Sequence, residues 1–492
     1  MRNLSVLMSS LLVGAFLLSL NNCATTEKEK VEIGKIPITT TSELALKSFM
    51  QGRELSEKLR GQESLIYFEK AIAEDHDFAM AYLYLAQFSP SAKAFFENLD
   101  QAVALADKVS EGERLWILGV QAGANGLPMK QREYYTKLVE AFPQDERAHN
   151  LLGINYFVQQ EWEKAIEECT KAIEIAPEFS LPYNQLGYAH RFLANYTEAE
   201  NAFKKYIELI PDDPNPYDSY AELLMKMGKF EESIDYYKKA LAQNPNFVAS
   251  HIGIATNLNF LGKHEQAREQ LGKLYSIARN DGERRAAHFA KTVSYVDEGD
   301  MEKALEELQD QFTLAERIND EAAMAGDLVA MGNILLEKGE PDEAMAKYEK
   351  SLKIMTDSNL SQEIKDNAKR GFLYNAARVM MYKEQFSTAK TNADEFLKEV
   401  KAINNPNQVR LAHELAGMIA LAEKDYEKAI EELYQANLQN PYNLYRISLA
   451  YEGKGEKDKA REYCEKAAEF NALNSLNYAY IRAKAHEMLS SM

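Results

Sequence analysis

Cysteine is scarce in this chain of 492 residues. Only Cys23, Cys169 and Cys464 occur, and no two of them stand at zinc-finger spacing. The eight histidines include no pair at zinc-protease spacing, so neither class of metal site is expected. No glycine-rich loop could cradle a phosphate, and no Gly-x-Ser-x-Gly elbow is present. Lysine and arginine (57) are outnumbered by aspartate and glutamate (76), for a net charge of −19. That balance argues against nucleic acid, whose recognition needs clustered cations. It suits the solubility of an extended surface, or a basic protein partner. Glycine (23) and proline (13) are few for the length, in keeping with stacked helices. One long apolar run exists, Leu4 to Leu20, and it falls short of the roughly 20 residues a spanning helix needs.

What is present is a period. From Glu146 to Pro245 the chain repeats every 34 residues. Gly153, Ala165, Ala172 and Pro177 are followed by Gly187, Ala199, Tyr206 and Pro211, then by Ala221, Ser233, Ala240 and Pro245. Small residues recur where two antiparallel helices must touch, with Gly153 expected to face Ala165. Trp162, Tyr196 and Phe230 recur at the start of each second helix. Pro177, Pro211 and Pro245 recur where that helix must stop, because proline has no N–H and clashes with the preceding turn. This pattern resembles the tetratricopeptide repeat. The resemblance implies an all-α fold, a right-handed superhelix of about twelve hairpins closed by a C-terminal capping helix. By this register residues 45–145 form divergent N-terminal units and 146–281 the regular ones. Residues 282–409 form divergent units with longer helices, 410–473 the last units, and 474–492 the capping helix. Irregular joints fall at Ser89-Pro90-Ser91 and at Asn359 to Lys369.

The N-terminus resembles a bacterial lipoprotein signal. Arg2 precedes the apolar run, which ends at Cys23, with Asn22 standing where that signal carries a small residue. The resemblance implies a signal peptide over 1–22 and a lipidated Cys23, whose acyl chains would anchor the protein. Residues 23–44 are polar and threonine-rich, and read as a flexible tether reaching on the order of 25 Å.

The register sorts the remaining side chains. His149, His251, His288 and His413 all fall at the fourth position of a unit, a place for packed inter-repeat side chains. Cys169 and Cys464 share the twenty-fourth, a buried slot. Ser387-Thr-Ala-Lys390 matches the Ser-x-x-Lys of penicillin-binding enzymes, but the rest of that family's pattern is missing. In the repeat family, function lies on the concave face made by the first helices. The positions expected to point inward include Asn150, Asn184, Tyr188, Arg191, Asp218, Glu222, Lys226 and Asn259. The asparagines could each pair with a peptide amide through donor and acceptor together. The chaperone-type carboxylate clamp is absent, since the fifth position carries Asn150, Asn184, Asp218 and Ile252. The resulting expectation is a lipid-anchored scaffold of the bacterial cell envelope, on the periplasmic face of the outer membrane. It would bind a protein or peptide partner, with no cofactor, metal or nucleic acid and no catalysis. The alternative is a glycan- or nutrient-binding outer-membrane lipoprotein. Such proteins carry exposed tryptophans on long loops, whereas Trp116 and Trp162 sit at helix-packing positions.

Overall fold

A computed structural model describes residues 34–492. Twelve helical hairpins and a terminal helix (Leu476–Ser491) follow one another, with no strand among the described residues. Hairpins 1 to 3 cover residues 43–74, 79–104 and 111–141. Hairpins 4 to 7 cover 146–175, 181–209, 214–243 and 248–277. Hairpins 8 to 10 cover 281–317, 321–357 and 362–403, and hairpins 11 and 12 cover 406–435 and 441–468. The first helix of each is called A and the second B. The second helices of hairpins 4 to 6 begin at Trp162, Tyr196 and Phe230, and each ends two residues before its proline.

Within a hairpin the close approach has a different partner from the one the register suggested. Ala165 and Ala199 are buried as expected, but the glycine of helix A meets the residue sixteen places on. A Cβ on Gly187 would lie 2.5 Å from the Phe203 ring, and one on Gly119 would lie 2.2 Å from Tyr135. Gly52 faces Phe68, and Gly332 faces Tyr348, in the same way. In hairpin 4 the smaller Cys169 stands at that place, 3.3 Å from the position a Gly153 Cβ would take, with the Ala165 carbonyl at 3.6 Å. The slot is therefore a ring seated on a bare stretch of backbone, with cysteine as its small variant.

Helices of hairpins 4 to 7 run 12 to 14 residues, whereas those of hairpins 8 to 10 run 17 to 21. The loosened spacing after residue 281 thus reflects longer helices. The terminal helix covers hairpin 12, where the Cys464 thiol donates to the Ala485 carbonyl at 3.3 Å. It does more than cap. Its Tyr478 ring lies 5.0 Å from Phe260 of hairpin 7, and Lys484 pairs at 2.8 Å with Glu337 of hairpin 9. The helix therefore lies along the concave side of the A helices, and its Lys484 bridges inward.

The array also folds onto itself. The turn inside hairpin 1 meets the start of hairpin 8, where Asn280 donates to Gln62 at 2.9 Å. Hairpin 2 meets the start of hairpin 9 through Lys93 and the Ile318 carbonyl, 3.2 Å. Hairpin 3 meets hairpin 10 through Ser361 and Asn125, 2.9 Å. Hairpin 4 meets hairpin 11 through Arg410 and the Gln159 carbonyl, 2.8 Å. Asn405 and Asn437 add bonds to the Gly126 carbonyl and to Gln160. Two layers of hairpins are thus stacked with a step of about seven, rim on rim, beyond the nearest-neighbour contacts of a solenoid. Asn280, Ser361 and Asn405 also cap the helices they precede. Both irregular joints, at Pro90 and after Asn359, lie on this seam.

The expected tether over residues 23–44 needs correction in its described part. Residues 34–42 are held against the first hairpins. The Ile36 N–H donates to Asp145 Oδ2 at 2.8 Å, the Thr39 N–H to Glu113 Oε1 at 2.8 Å, and the Thr40 hydroxyl to Asp75 Oδ2 at 2.5 Å. Lys35 pairs with Glu146, and Ile36 is buried. Ser42 then caps the first helix, which begins at Glu43. The threonines serve as donors to carboxylates. Glu113 simultaneously closes the capping box of hairpin 3 with Ser110, so the strap is fixed to a helix terminus already in place.

The seam supplies a test. A Cβ on Gly282 would lie 2.3 Å from the Pro90 carbonyl oxygen of the opposing layer, and backbone cannot yield as a flexible side chain can. Gly282→Ala should leave helicity unchanged, destabilise the fold by about 1–3 kcal/mol and enlarge the radius of gyration seen by small-angle scattering. An unchanged melting temperature and radius would show that the layers are not in contact there.

Candidate functional site

The A helices of hairpins 4 to 7 are Glu146–Val158, Leu181–Phe192, Pro214–Lys226 and Val248–Phe260. The structure divides the eight side chains expected to line their groove. Asn150, Asn184, Asp218 and Asn259 are 3–5 % exposed. They lie in the layer between successive A helices and are too enclosed to meet a partner's backbone, which corrects the expectation of an asparagine ladder. Asp218 accepts from the Ser250 hydroxyl at 2.6 Å, and Asn259 from the Ser294 hydroxyl at 2.9 Å. The Oδ1 atoms of Asn150 and Asn184 have no hydrogen-bond partner. Tyr188 donates to Ser219 at 3.3 Å, and Arg191 to Glu222 at 3.0 Å. These bonds stitch together the successive A helices of hairpins 5 to 8, in register with the repeat.

Arg191, Glu222 and Lys226 are only half-buried and mark where the concave face stays open. Arg191 and Lys226 line a cavity of about 850 Å³ between hairpins 5 and 6 on one side and hairpin 12 with the terminal helix on the other. Phe192, Phe470 and Arg482 complete its walls. The Lys226 ammonium lies 3.8 Å from the centroid of the Phe470 ring, close enough for a cation–π contact. Burial, with Arg191 as a second cause, brings the Lys226 ammonium down to about 8. Phe470, Asn471 and Arg482 come from the last fifth of the chain. Nothing in the repeat register signalled that they would face Lys226.

The four fourth-position histidines share one arrangement. His149, His288 and His413 each place Nδ1 within 2.6–2.7 Å of a carboxylate nineteen residues on, those of Glu168, Glu307 and Glu432. His251 meets Gln270 at the same spacing, 2.7 Å. His149 and His251 also donate through Nε2 to the carbonyls of Pro143 and Pro245, at 3.2 and 2.9 Å. Tyr183 and Tyr217 reach the Pro177 and Pro211 carbonyls in that same place. In hairpins 4 to 7 the fourth position therefore satisfies the carbonyl left free by the proline turn. The fixed partner nineteen residues later was legible in the sequence as a repeated His-to-acid spacing, and was missed. Lys390 pairs with Glu423 at 2.7 Å. Trp116 is buried, and Trp162 stacks on Phe192 at 4.6 Å, so both serve packing. Among the described residues no group of three or more His, Cys, Asp or Glu gathers as a metal site would need.

Asp218 is the electrostatic stress point. Burial first, and then the neighbouring Glu222, holds its carboxyl well above the usual carboxylate range. A raised folded pKa means the folded state favours the proton. The associated stability is present at low pH and is lost as pH rises through the folded pKa. Asp218→Asn keeps the acceptor for Ser250 and removes the charge. It should raise stability at pH 7 by about 1 kcal/mol or more, and the gain should shrink as pH falls toward the ordinary carboxylate range. Melting curves at pH 7 and 4.5 check this, and a gain equal at both would contradict it.

Family models of the tetratricopeptide repeat match residues 146–179, 182–213, 221–247, 328–361 and 441–472. A search of characterised proteins gives no match. The matched segments correspond to hairpins 4, 5, 6, 9 and 12, whose helices are among the shorter and more regular, hairpin 9 excepted. These five hairpins are tetratricopeptide repeats, and the chain is an all-α solenoid built on them.

Proposed function

We propose that the protein is a lipid-anchored scaffold of a bacterial cell envelope, on the periplasmic face of the outer membrane, that holds a protein partner at the open part of its concave face. The observation that carries the scaffold reading is the run of tetratricopeptide repeats, an architecture that serves protein–protein interaction. The partner site is narrowed to the mouth where Arg191, Glu222 and Lys226 stay accessible, because the asparagines deeper in the groove are enclosed. The anchor rests on the sequence alone. Cys23 ends the only long apolar run, and it lies outside the described residues. No helix among the described residues is long and apolar enough to cross a membrane.

The partner site is tested by photo-crosslinking in cells. Benzoylphenylalanine is placed at Val158 and at Met227, which are 55 % and 36 % exposed at the ends of A helices, and as a control at Lys204 on a B helix. Crosslinked partner is expected from the first two positions. Capture from Lys204 alone would move the site to the convex face.

The anchor is tested by Cys23→Ser. The variant should leave the membrane fraction, or accumulate with its first 22 residues uncleaved. Mature protein that begins at residue 23 and partitions unchanged without the thiol would remove the lipid from the proposal.

A further inference from the structure

The cavity at the mouth holds two cations that form no ion pair among the described residues. Arg191 has Glu222 at 3.0 Å, and Lys466, also in the cavity wall, has Glu462 at 2.5 Å. Glu469 also stands in the cavity wall, and Asp297 and Glu469 favour the Arg482 charge from longer range, but neither Lys226 nor Arg482 has a carboxylate within ion-pair distance among the described residues. Lys226 makes no hydrogen bond there either. Arg482 has one long bond, 3.4 Å, to Asn471 Oδ1. Each cation instead rests on an aromatic face, Lys226 on Phe470 and Arg482 on Phe260 at 4.3 Å. Burial holds both below their usual values. In a chain with 76 acidic residues against 57 basic ones, unpaired half-buried cations run against the composition. A half-buried charge without a counterion is unfavourable unless something else supplies one.

We propose that this cavity binds a small organic anion, a carboxylate, sulfonate or phosphate ester carried on an apolar body. The anionic group would sit between Lys226 of hairpin 6 and Arg482 of the terminal helix, with its body against the aromatic wall of Phe192, Phe230 and Phe470. The volume, about 850 Å³, falls within the range of small-molecule sites. The two cations come from opposite layers of the array, so a bound anion would tie the first layer to the terminal helix. Such a ligand should therefore raise thermal stability as it binds.

Two fluorescent dyes that differ in charge supply the test. 8-Anilinonaphthalene-1-sulfonate carries the anion, and N-phenyl-1-naphthylamine has the same body without it. The folded protein should bind the sulfonate with one-to-one stoichiometry, at least tenfold more tightly than the neutral dye, and with a rise in melting temperature. Lys226→Met and Arg482→Met should each lose at least tenfold in sulfonate affinity and leave the neutral dye unchanged. Lys226→Arg, which keeps the charge, should retain binding and shows that loss in the methionine variant is not misfolding; circular dichroism is recorded on every variant. Equal affinity for the two dyes, or methionine variants that bind the sulfonate as the parent does, would overturn the proposal. Partner capture at Val158 is scored separately, so failure of the anion site leaves the scaffold reading standing.

Discussion

The seam between the two layers of hairpins is the constraint on which the rest of this structure depends. In an open solenoid each repeat touches only its neighbours, and its concave face is free along its length. Here hairpins 1 to 4 rest on the starts of hairpins 8 to 11, and the terminal helix runs along the inner side from hairpin 12 to Phe260 of hairpin 7. Winding this tight brings successive A helices together, and that is why Asn150, Asn184, Asp218 and Asn259 are enclosed. The same winding explains the chemistry of the rims. Asparagine and serine recur there because one side chain can accept from its own helix terminus as a cap and also bond the opposing layer. Asn280 does both, and so do Ser361 and Asn405.

The sequence carried the local architecture clearly and the long-range architecture hardly at all. The 34-residue period located the hairpins, the small residues and the prolines, because each reflects contacts within one unit or between neighbours. The glycine slot was half legible. Gly187 had to face something close, but the register pointed to the alanine of helix B rather than to Phe203. The fourth-position histidines read as packing residues, and His149, His251 and His288 are buried, but their partners nineteen residues on, three acids and Gln270, went unread. The strap misled through composition. A threonine-rich run without helical period looks flexible, yet residues 34–42 find Asp145 and Glu113 waiting at helix starts and Asp75 at a helix end. No local pattern announces a partner that lies 35 to 109 residues away.

The irregular joints show the same division in a sharper form. Ser89-Pro90-Ser91 and the stretch after Asn359 interrupt the period, and from sequence alone an interruption is only noise in a repeat. In the structure Pro90 abuts Gly282 and Ser361 reaches Asn125. Departures from the consensus thus mark the places where a second layer must be accommodated. A repeat unit optimised only for its neighbours would present the wrong surface there.

Charge follows from this geometry as well. The outer surface can carry a large acidic surplus, because side chains on exposed helix faces are solvated and screened. Inside the winding that freedom is lost. Each charge on the concave side must find a partner, as Arg191 finds Glu222 and Lys484 finds Glu337, or else shift toward neutrality, as Asp218 does. Lys226 and Arg482 are held by aromatic faces rather than by carboxylates, where the first layer, hairpin 12 and the terminal helix converge on an open cavity. Two cations without an ion-pair partner at such a point are open to a counterion that the described chain does not supply.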